Sequence, residues 1–262
     1  MKISKSPTVL SIALKSSVVS VIVLTSSAAF ADENAWNAMK LLKGMSDYLA
    51  GEKTFTANYL SDVEVVTPAL EKIQFASSGR VSVARPDKVH VSRTGGYVDM
   101  EAIFDGKQLS VFGKDANAYA QSDVPGTLDQ LINKLQSESL ALPGADLLLS
   151  NVFDELTKDV VTAKHIGTGV INGVECEHLA FRNRDIDWQL WIRVGEKPIP
   201  CKYVITSKTL TGAPQYSLTV TSWDSKAEGE AFTFIPPANA KKVDLAEMDV
   251  DEIPPESEGD NR

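Results

Sequence analysis

The 262 residues include 35 acidic and 26 basic side chains, which gives a formal net charge of −9. An acidic chain repels phosphate backbones, so the charge argues against nucleic acid as a partner. The length suffices for one domain with a single core, and no internal repeat or glycine/serine linker divides the chain.

The N-terminal residues have the pattern of a secretory signal peptide. Lys2 and Lys5 precede an apolar stretch from Val9 to Leu24, which ends before the A-x-A cleavage pattern Ala29-Phe30-Ala31. The stretch is shorter than the roughly 20 apolar residues of a transmembrane helix. We therefore expect residues 1–31 to be removed after Ala31 and the mature chain to reside in the periplasm, without a membrane-spanning segment.

The next segments predict one helix followed by a meander of strands. Ala35–Ala50 has apolar residues at helical spacing and predicts an amphipathic helix that stops at Gly51. From Phe55 to Val111, apolar and polar residues alternate between short turns such as Arg85–Lys88, which predicts antiparallel strands.

The middle of the chain changes to a helical period before strands resume. Thr127 and Gln130 form a capping box at the start of one apolar stripe, and a second stripe spans Asp146–Thr157 after a break at Pro143-Gly144. Asn172-Gly173 then predicts a tight hairpin. The predicted strands after that turn are Val174–Arg182, Trp188–Arg193, Cys201–Ser207 and Tyr216–Trp223. Because strands and helices are segregated along residues 32–243, we predict an α+β domain.

Residues 244–262 are predicted to form an acidic, disordered tail. The tail holds eight acidic residues against one basic residue, Arg262, and contains Pro254-Pro255. Few large apolar groups are available there to order the chain by burial. The tail is therefore expected to be a solvated segment, with docking to a basic partner as the alternative.

The ordered segments resemble the lipoprotein carriers of the LolA/LolB type. The similar segments are Gly79–Asp87, with alternating apolar residues before Arg-Pro, and Phe104–Leu109, with Asp-Gly-Lys. The resemblance implies a strongly curved antiparallel sheet, an open half-barrel, whose concave face is covered by helices. It implies no reaction and no cofactor, and fold alone does not decide function.

The C-terminal half is similar to a family of predicted periplasmic proteins, the domain of unknown function 2092. The segments that carry this similarity are Cys176–Arg182, Asp187–Ile192, Pro198–Pro200 and Phe232–Pro237. The family brings no assigned ligand or activity, so any functional residues must be inferred from the sequence itself.

No catalytic site is expected. The three histidines lie outside H-E-x-x-H, and the chain has no G-x-S-x-G. Asp185, Asp187 and Glu196 around the Trp188 strand would suit a paired-carboxylate glycosidase, yet aspartate is common in hairpin turns for backbone reasons. A hydrolase is therefore the least supported function.

Cys176 and Cys201 are candidates for a disulfide, because the periplasm is oxidising and the chain has two cysteines. If their strands are separated by one strand, they lie about 9.6 Å apart. A disulfide requires Cα atoms within about 7 Å, so two buried thiols are the alternative. Cys176 and His178 share a strand face, but too few further ligands accompany them for a metal site.

A set of apolar residues on the later strands forms the candidate ligand-binding surface. They either fill an ordinary core or line a cavity for an acyl chain, and the sequence leaves both open. These residues are Leu179, Phe181, Trp188, Leu190, Trp191, Tyr203 and Ile205. Arg85 is either a surface turn residue or a latch that donates to carbonyls of the helical segment Thr127–Thr157.

The sequence thus predicts a periplasmic, non-enzymatic protein that binds a hydrophobic or lipidated ligand, as a carrier or a sensor. Its expected partner is a lipid, an acyl chain or a lipoprotein. The alternative is an interaction module that has a filled core, no ligand cavity and an envelope protein as its partner. A connected cavity between sheet and helices distinguishes the two.

Overall fold

A computed structural model describes residues 26–138, 143–226 and 232–248. Within these ranges the chain forms three α-helices and one twelve-stranded sheet. The helices are α1 (Ser26–Gly51), α2 (Leu128–Ser137) and α3 (Val152–Thr157). A 3-10 helix, Ala145–Leu148, precedes α3. Over the same ranges, no helix has the length and apolar character needed to cross a lipid bilayer.

The strands form two meanders that join in the middle of the sheet. The bounds are β1 (Thr54–Val66), β2 (Lys72–Ala84), β3 (Lys88–Gly95), β4 (Asp99–Phe104), β5 (Gln108–Gly113), β6 (Ala118–Asp123), β7 (Thr162–Ile171), β8 (Val174–Arg182), β9 (Ile186–Arg193), β10 (Pro200–Ser207), β11 (Gln215–Asp224) and β12 (Lys241–Lys242). Their spatial order is β12-β6-β5-β4-β3-β2-β1-β11-β10-β9-β8-β7, and all neighbours are antiparallel except β12 and β6.

The expected fold class is confirmed. The pairing of β1 with β11 joins the two meanders into one open, curved sheet, and the helices lie over its concave face. The helices cover this face because it carries the apolar residue of each alternating pair along the strands.

Two clusters of buried side chains lie between the sheet and the helices. One lies beneath α1, whose fully buried residues recur at helical spacing: Ala38, Leu42, Met45 and Leu49. The other lies beneath α2, where Leu128 and Leu131 are buried against β3, β4 and β5. Trp223 of β11 packs against both clusters. Each large apolar side chain buried here contributes about 1.5–3 kcal/mol of transfer free energy.

Two predicted helices differ from the observed ones. Helix α1 begins at Ser26 rather than at Ala35, so the expected cleavage after Ala31 lies within it, while residues 1–25 lie outside the described ranges. The stripe Asp146–Thr157 is divided into the 3-10 helix and α3. The division has its cause in another helix, because Asp129 of α2 accepts hydrogen bonds from the N–H and hydroxyl of Ser150.

The C-terminal segment wraps around the β6 edge of the sheet. Phe234 packs against Phe112 and Tyr119, with ring centroids 6.2 and 5.5 Å apart. Strand β12 then pairs with β6, and Leu245 and Met248 pack into the cluster beneath α2. Phe112 follows Val111, which belongs to that cluster, and successive residues of a strand point to opposite faces of the sheet. The C-terminal segment therefore contacts both faces.

The predicted tail boundary at residue 244 is therefore wrong. Residues 244–248 are ordered, with a 3-10 helix at Leu245–Glu247, because Leu245 and Met248 supply apolar surface that the core accepts. Residues 249–262 lie outside the described ranges.

Deleting residues 244–262 should lower the free energy of unfolding by about 1–3 kcal/mol, because Leu245 and Met248 leave the core. In a domain of this size the melting temperature should fall by several degrees, roughly 2–4 °C per kcal/mol. The matched control deletes only residues 249–262, whose acidic composition predicts few contacts and an unchanged melting temperature. Equal melting temperatures for the two truncations would show that Leu245 and Met248 do not stabilise the domain.

Candidate functional site

A partly enclosed cavity of about 220 Å³ lies between the helical layer and strands β9 and β10. Its apolar wall consists of Pro143, Leu156, Ile186, Trp188, Tyr203 and Ile205. A dry apolar cavity of about 150 Å³ in another protein holds benzene. The space here is therefore large enough for an apolar group of that size.

Strand pairing positions the aromatic side of the cavity. Trp188 and Ile205 are cross-strand neighbours on β9 and β10. The Trp188 ring stacks on Phe181 with centroids 3.9 Å apart and meets Tyr203 edge-on at 6.0 Å. Its indole N–H donates to Asn183 Oδ1 at 3.1 Å. These contacts fix the ring, so the wall is rigid before any ligand binds.

Asp146 places a carboxyl group in the wall of the cavity. The Tyr203 hydroxyl donates to its Oδ2 at 3.1 Å, and the Leu147 N–H donates to its Oδ1 at 3.1 Å. The residue keeps some exposure because it lines the cavity, but its carboxyl group is deeply surrounded by protein. Burial raises the pKa of Asp146 to about 6, against the opposing effect of the Tyr203 hydrogen bond.

The sequence interpretation did not single out Asp146. The one signal for it is an acidic residue that directly precedes three leucines at the start of an apolar stripe. A buried carboxyl group with a raised pKa beside a cavity is a physical marker of a functional site.

The cavity lining also includes Glu155, Lys158 and Asp159. The Lys158 ammonium group forms an ion pair with the Glu155 carboxylate, and this hydrogen bond raises the pKa of Lys158. With Asp146, the lining therefore holds three acidic groups and one basic group, and the basic group is already paired.

The structure divides the seven predicted ligand-binding residues into three groups. Trp188, Tyr203 and Ile205 line the cavity. Leu179, Phe181 and Leu190 are buried beneath α1 and do not line it. Trp191 lies on the opposite face of β9, because side chains alternate along a strand, and it stacks on His178 with centroids 4.1 Å apart.

Arg85 contacts the helical layer at the position expected of a latch. Its Nη2 donates to the carbonyl oxygen of Leu149, at the end of the 3-10 helix, over a long distance of 3.4 Å. Burial lowers the pKa of Arg85, and the nearby charge of Asp129 acts in the opposite direction. The contact joins the β2–β3 turn to the segment between the 3-10 helix and α3.

Cys176 and Cys201 are both buried and both free thiols in this structure. A bulge between Pro200 and Lys202 interrupts the pairing of β10 with β9. The Cys201 thiol donates to the backbone carbonyl of Ile199, with Sγ and O 4.0 Å apart, and burial raises the pKa of Cys201 to about 12. So high a pKa leaves little of the reactive thiolate, and a disulfide between Cys176 and Cys201 stays a prediction.

The carboxylates considered for a glycosidase do not form a pair. Asp187 accepts two hydrogen bonds from Arg182, at 3.0 and 2.9 Å, and they lower the pKa of Asp187. A general acid in a glycosidase requires a raised pKa. Asp185 and Glu196 flank opposite ends of the eight-residue strand β9, which is about 26 Å long at about 3.3 Å per residue. That separation far exceeds the about 5–9.5 Å of a glycosidase pair.

Within the described ranges, no group of three or more histidine, cysteine or acidic side chains could hold a metal ion. His178, which shares a strand face with Cys176, makes other contacts instead. The His178 ring contacts Gln189, with Nε2 2.9 Å from Oε1, and stacks on Trp191 on the outer face of the sheet.

Comparison with known proteins gives one family and several similar folds. The family model described as "Predicted periplasmic protein (DUF2092)" matches residues 38–246. No curated protein matches the chain.

Three solved structures are similar to the chain over most of its length, at low identity. An uncharacterised conserved protein from Thermus thermophilus is 13% identical over 79% of this chain and 99% of that chain, with a TM-score of 0.48. LprF from Mycobacterium bovis is 13% identical over 77% and 99%, with a TM-score of 0.48. Lipoprotein LppX from Mycobacterium tuberculosis is 14% identical over 71% and 94%, with a TM-score of 0.44.

Proposed function

This chain belongs to the DUF2092 family of predicted periplasmic proteins and is a periplasmic protein, and we propose that it binds a hydrophobic or lipidated ligand without catalysis. The observation that carries this proposal is the cavity between the helical layer and strands β9 and β10. We also propose that residues 1–31 are removed on export, as the A-x-A pattern predicts.

The composition of the cavity supports an apolar ligand. Leu156, Ile186 and Ile205 bring apolar side chains from three elements to one space. An apolar group that enters this space gains about 25 cal/mol for each Å² that it removes from water. The energy of such a complex comes from burial, and no reactive side chain is required.

The size of the cavity suggests that a longer ligand displaces part of the helical layer. Ligand pockets usually have volumes of about 300–1,000 Å³, above the 220 Å³ observed. We define the lid as residues 145–157, which include the 3-10 helix and α3. Both elements are short, with four and six residues, and short elements at a binding site commonly have low local stability.

Hydrogen exchange followed by mass spectrometry tests this function. The amide hydrogens of the lid should exchange faster than those of strands β9 and β10. Adding dodecyl maltoside below its micellar concentration should slow exchange in the lid. Arg85→Ala should accelerate exchange in the lid, because the contact with Leu149 is lost.

The matched control is Arg80→Ala, which removes an arginine from an exposed position on β2, the strand that precedes the turn with Arg85. It should leave exchange in the lid unchanged. If the lid exchanges as slowly as the strands and no amphiphile alters it, the helices are ordinary core and the ligand-binding function is wrong.

A specific observation favours the interaction module as the second candidate. Strand β7 lies at an edge of the sheet, and its side chains Ile166 and Val170 are 54% and 68% exposed. The side-chain amide of Asn34 on α1 accepts a hydrogen bond from the His165 N–H at 2.7 Å and donates one to the His165 carbonyl oxygen at 2.9 Å. This part of the edge is therefore covered. The remainder of the edge can pair with an extended segment of another envelope protein.

A further inference from the structure

We propose that the cavity selects amphiphiles with a positively charged amine head, and that the Asp146 carboxylate binds the ammonium group. This inference rests on the proposed function and names the class of ligand. It concerns a lipid-like molecule, in which one end is an alkyl chain and the other a primary ammonium.

The charges around the cavity favour a cationic head group. Asp146, Glu155 and Asp159 line it together with one basic residue, Lys158, so the lining has a formal net charge of −2. Lys158 is already paired with Glu155. No arginine is among the described lining residues, so a phosphate, sulfate or carboxylate head would meet unfavourable charge, which discriminates against anionic amphiphiles.

The Asp146 carboxylate has hydrogen-bond acceptor positions left for an ammonium group. An ionised carboxylate offers about four acceptor positions, and Tyr203 and Leu147 occupy two of them. An ammonium group has three N–H donors and no acceptor, so it can use the remaining positions. The carboxylate is largely removed from water, and an opposite charge beside it replaces the hydration that burial took away.

The wall of the cavity has a charged side and an apolar side. Asp146 contributes the charged side of the space, while Ile186 and Ile205 contribute an apolar side formed by strands β9 and β10. A ligand that satisfies both sides must carry a cation and an apolar chain in one molecule. A short cation such as a free lysine side chain satisfies only the first side.

Calorimetric titration of the mature protein with three eight-carbon probes tests the inference. The probes are octylammonium, octyl sulfate and octyl glucoside, each below its micellar concentration at pH 7.5. Octylammonium should bind about tenfold more tightly than octyl glucoside, as expected for one charged hydrogen bond. Octyl sulfate should bind most weakly.

Asp146→Asn should remove the advantage of octylammonium over octyl glucoside. The matched control is Asp123→Asn, which makes the same charge change at an exposed site at the end of β6. The control should keep the full advantage, because attraction to the overall negative charge of the chain is the same in both variants.

A lower pH should act as the Asn substitution does. The charged and titratable groups that face Asp146 are Tyr203 on β10, and Glu155, Lys158 and Asp159 at the end of α3. At pH 5 the Asp146 carboxyl should be largely protonated, so the wild-type preference for octylammonium should shrink toward that of Asp146→Asn.

The outcomes separate the inference from the function on which it rests. If none of the three probes binds, the ligand-binding function is wrong. If octyl glucoside binds and octylammonium has no advantage that depends on Asp146, the function stands and the amine preference is wrong. If butylammonium binds as tightly as octylammonium, the site takes a cation alone, which overturns an amphiphile as the ligand.

Discussion

Phe181→Ala should lower the free energy of unfolding by about 3–5 kcal/mol, the usual cost of deleting a buried aromatic ring. Phe181 is 3% exposed and stacks on Trp188 in the cluster beneath α1, so its removal leaves a cavity that the rigid sheet cannot close. Urea denaturation measures the loss as a lower midpoint at an unchanged slope.

The matched control is Trp191→Ala, another aromatic truncation on the neighbouring strand. Trp191 lies on the outer face, where it stacks on His178, and its loss should cost about 1 kcal/mol. If Phe181→Ala left stability intact and abolished amphiphile binding, Phe181 would be a ligand residue after all. The alternation of side chains along the strand places Trp191 on the opposite face from Trp188, but the sequence does not show which face the helices cover.

Asp146→Asn should stabilise the protein at neutral pH by about 3 kcal/mol. Burial raises the pKa of Asp146 to about 6 in the folded chain, whereas an unfolded aspartate has a pKa of about 3.9. The folded state therefore binds more protons between these values, and wild-type stability falls as pH rises from about 4 to 6. Asparagine cannot ionise, so this loss is absent from the variant.

The measurement is the difference in unfolding free energy between variant and wild type at several pH values. The difference should rise in favour of Asp146→Asn between about pH 4 and 6 and stay constant above about pH 7. Asp123→Asn, at an exposed position, should show no such rise. A difference that stays flat across this window would mean that the Asp146 carboxyl is not desolvated in the folded protein.

Local signals in the sequence predict the elements that local contacts determine. The hairpin at Asn172-Gly173 sets the start of β8, whose bounds match the predicted Val174–Arg182. The capping box at Thr127 and Gln130 likewise marks the start of α2, where both reciprocal hydrogen bonds are present. In each case the determining atoms lie within a few residues of one another.

Features that depend on distant contacts were not predictable in this way. The break after Leu149 depends on Asp129, which lies on another helix. The cavity depends on how the lid meets β9 and β10, so Trp188 and Tyr203 could be grouped with Leu190 by periodicity but not separated from it. In the sequence, Leu245 and Met248 are isolated apolar residues in an acidic segment. Only the folded sheet shows that they pack beside the β6 edge.

The pairing of β1 with β11 also has a consequence for the order of folding. Thr56 of β1 pairs with Asp224 of β11, so this ladder forms only after most of the chain is available. Until then β1 presents an unpaired edge, and partners so distant in sequence find one another slowly. The N-terminal meander can assemble early as a separate half. The C-terminal meander, which carries the cavity floor on β9 and β10, can form the other half, and we expect the β1–β11 ladder that joins the two halves to form last.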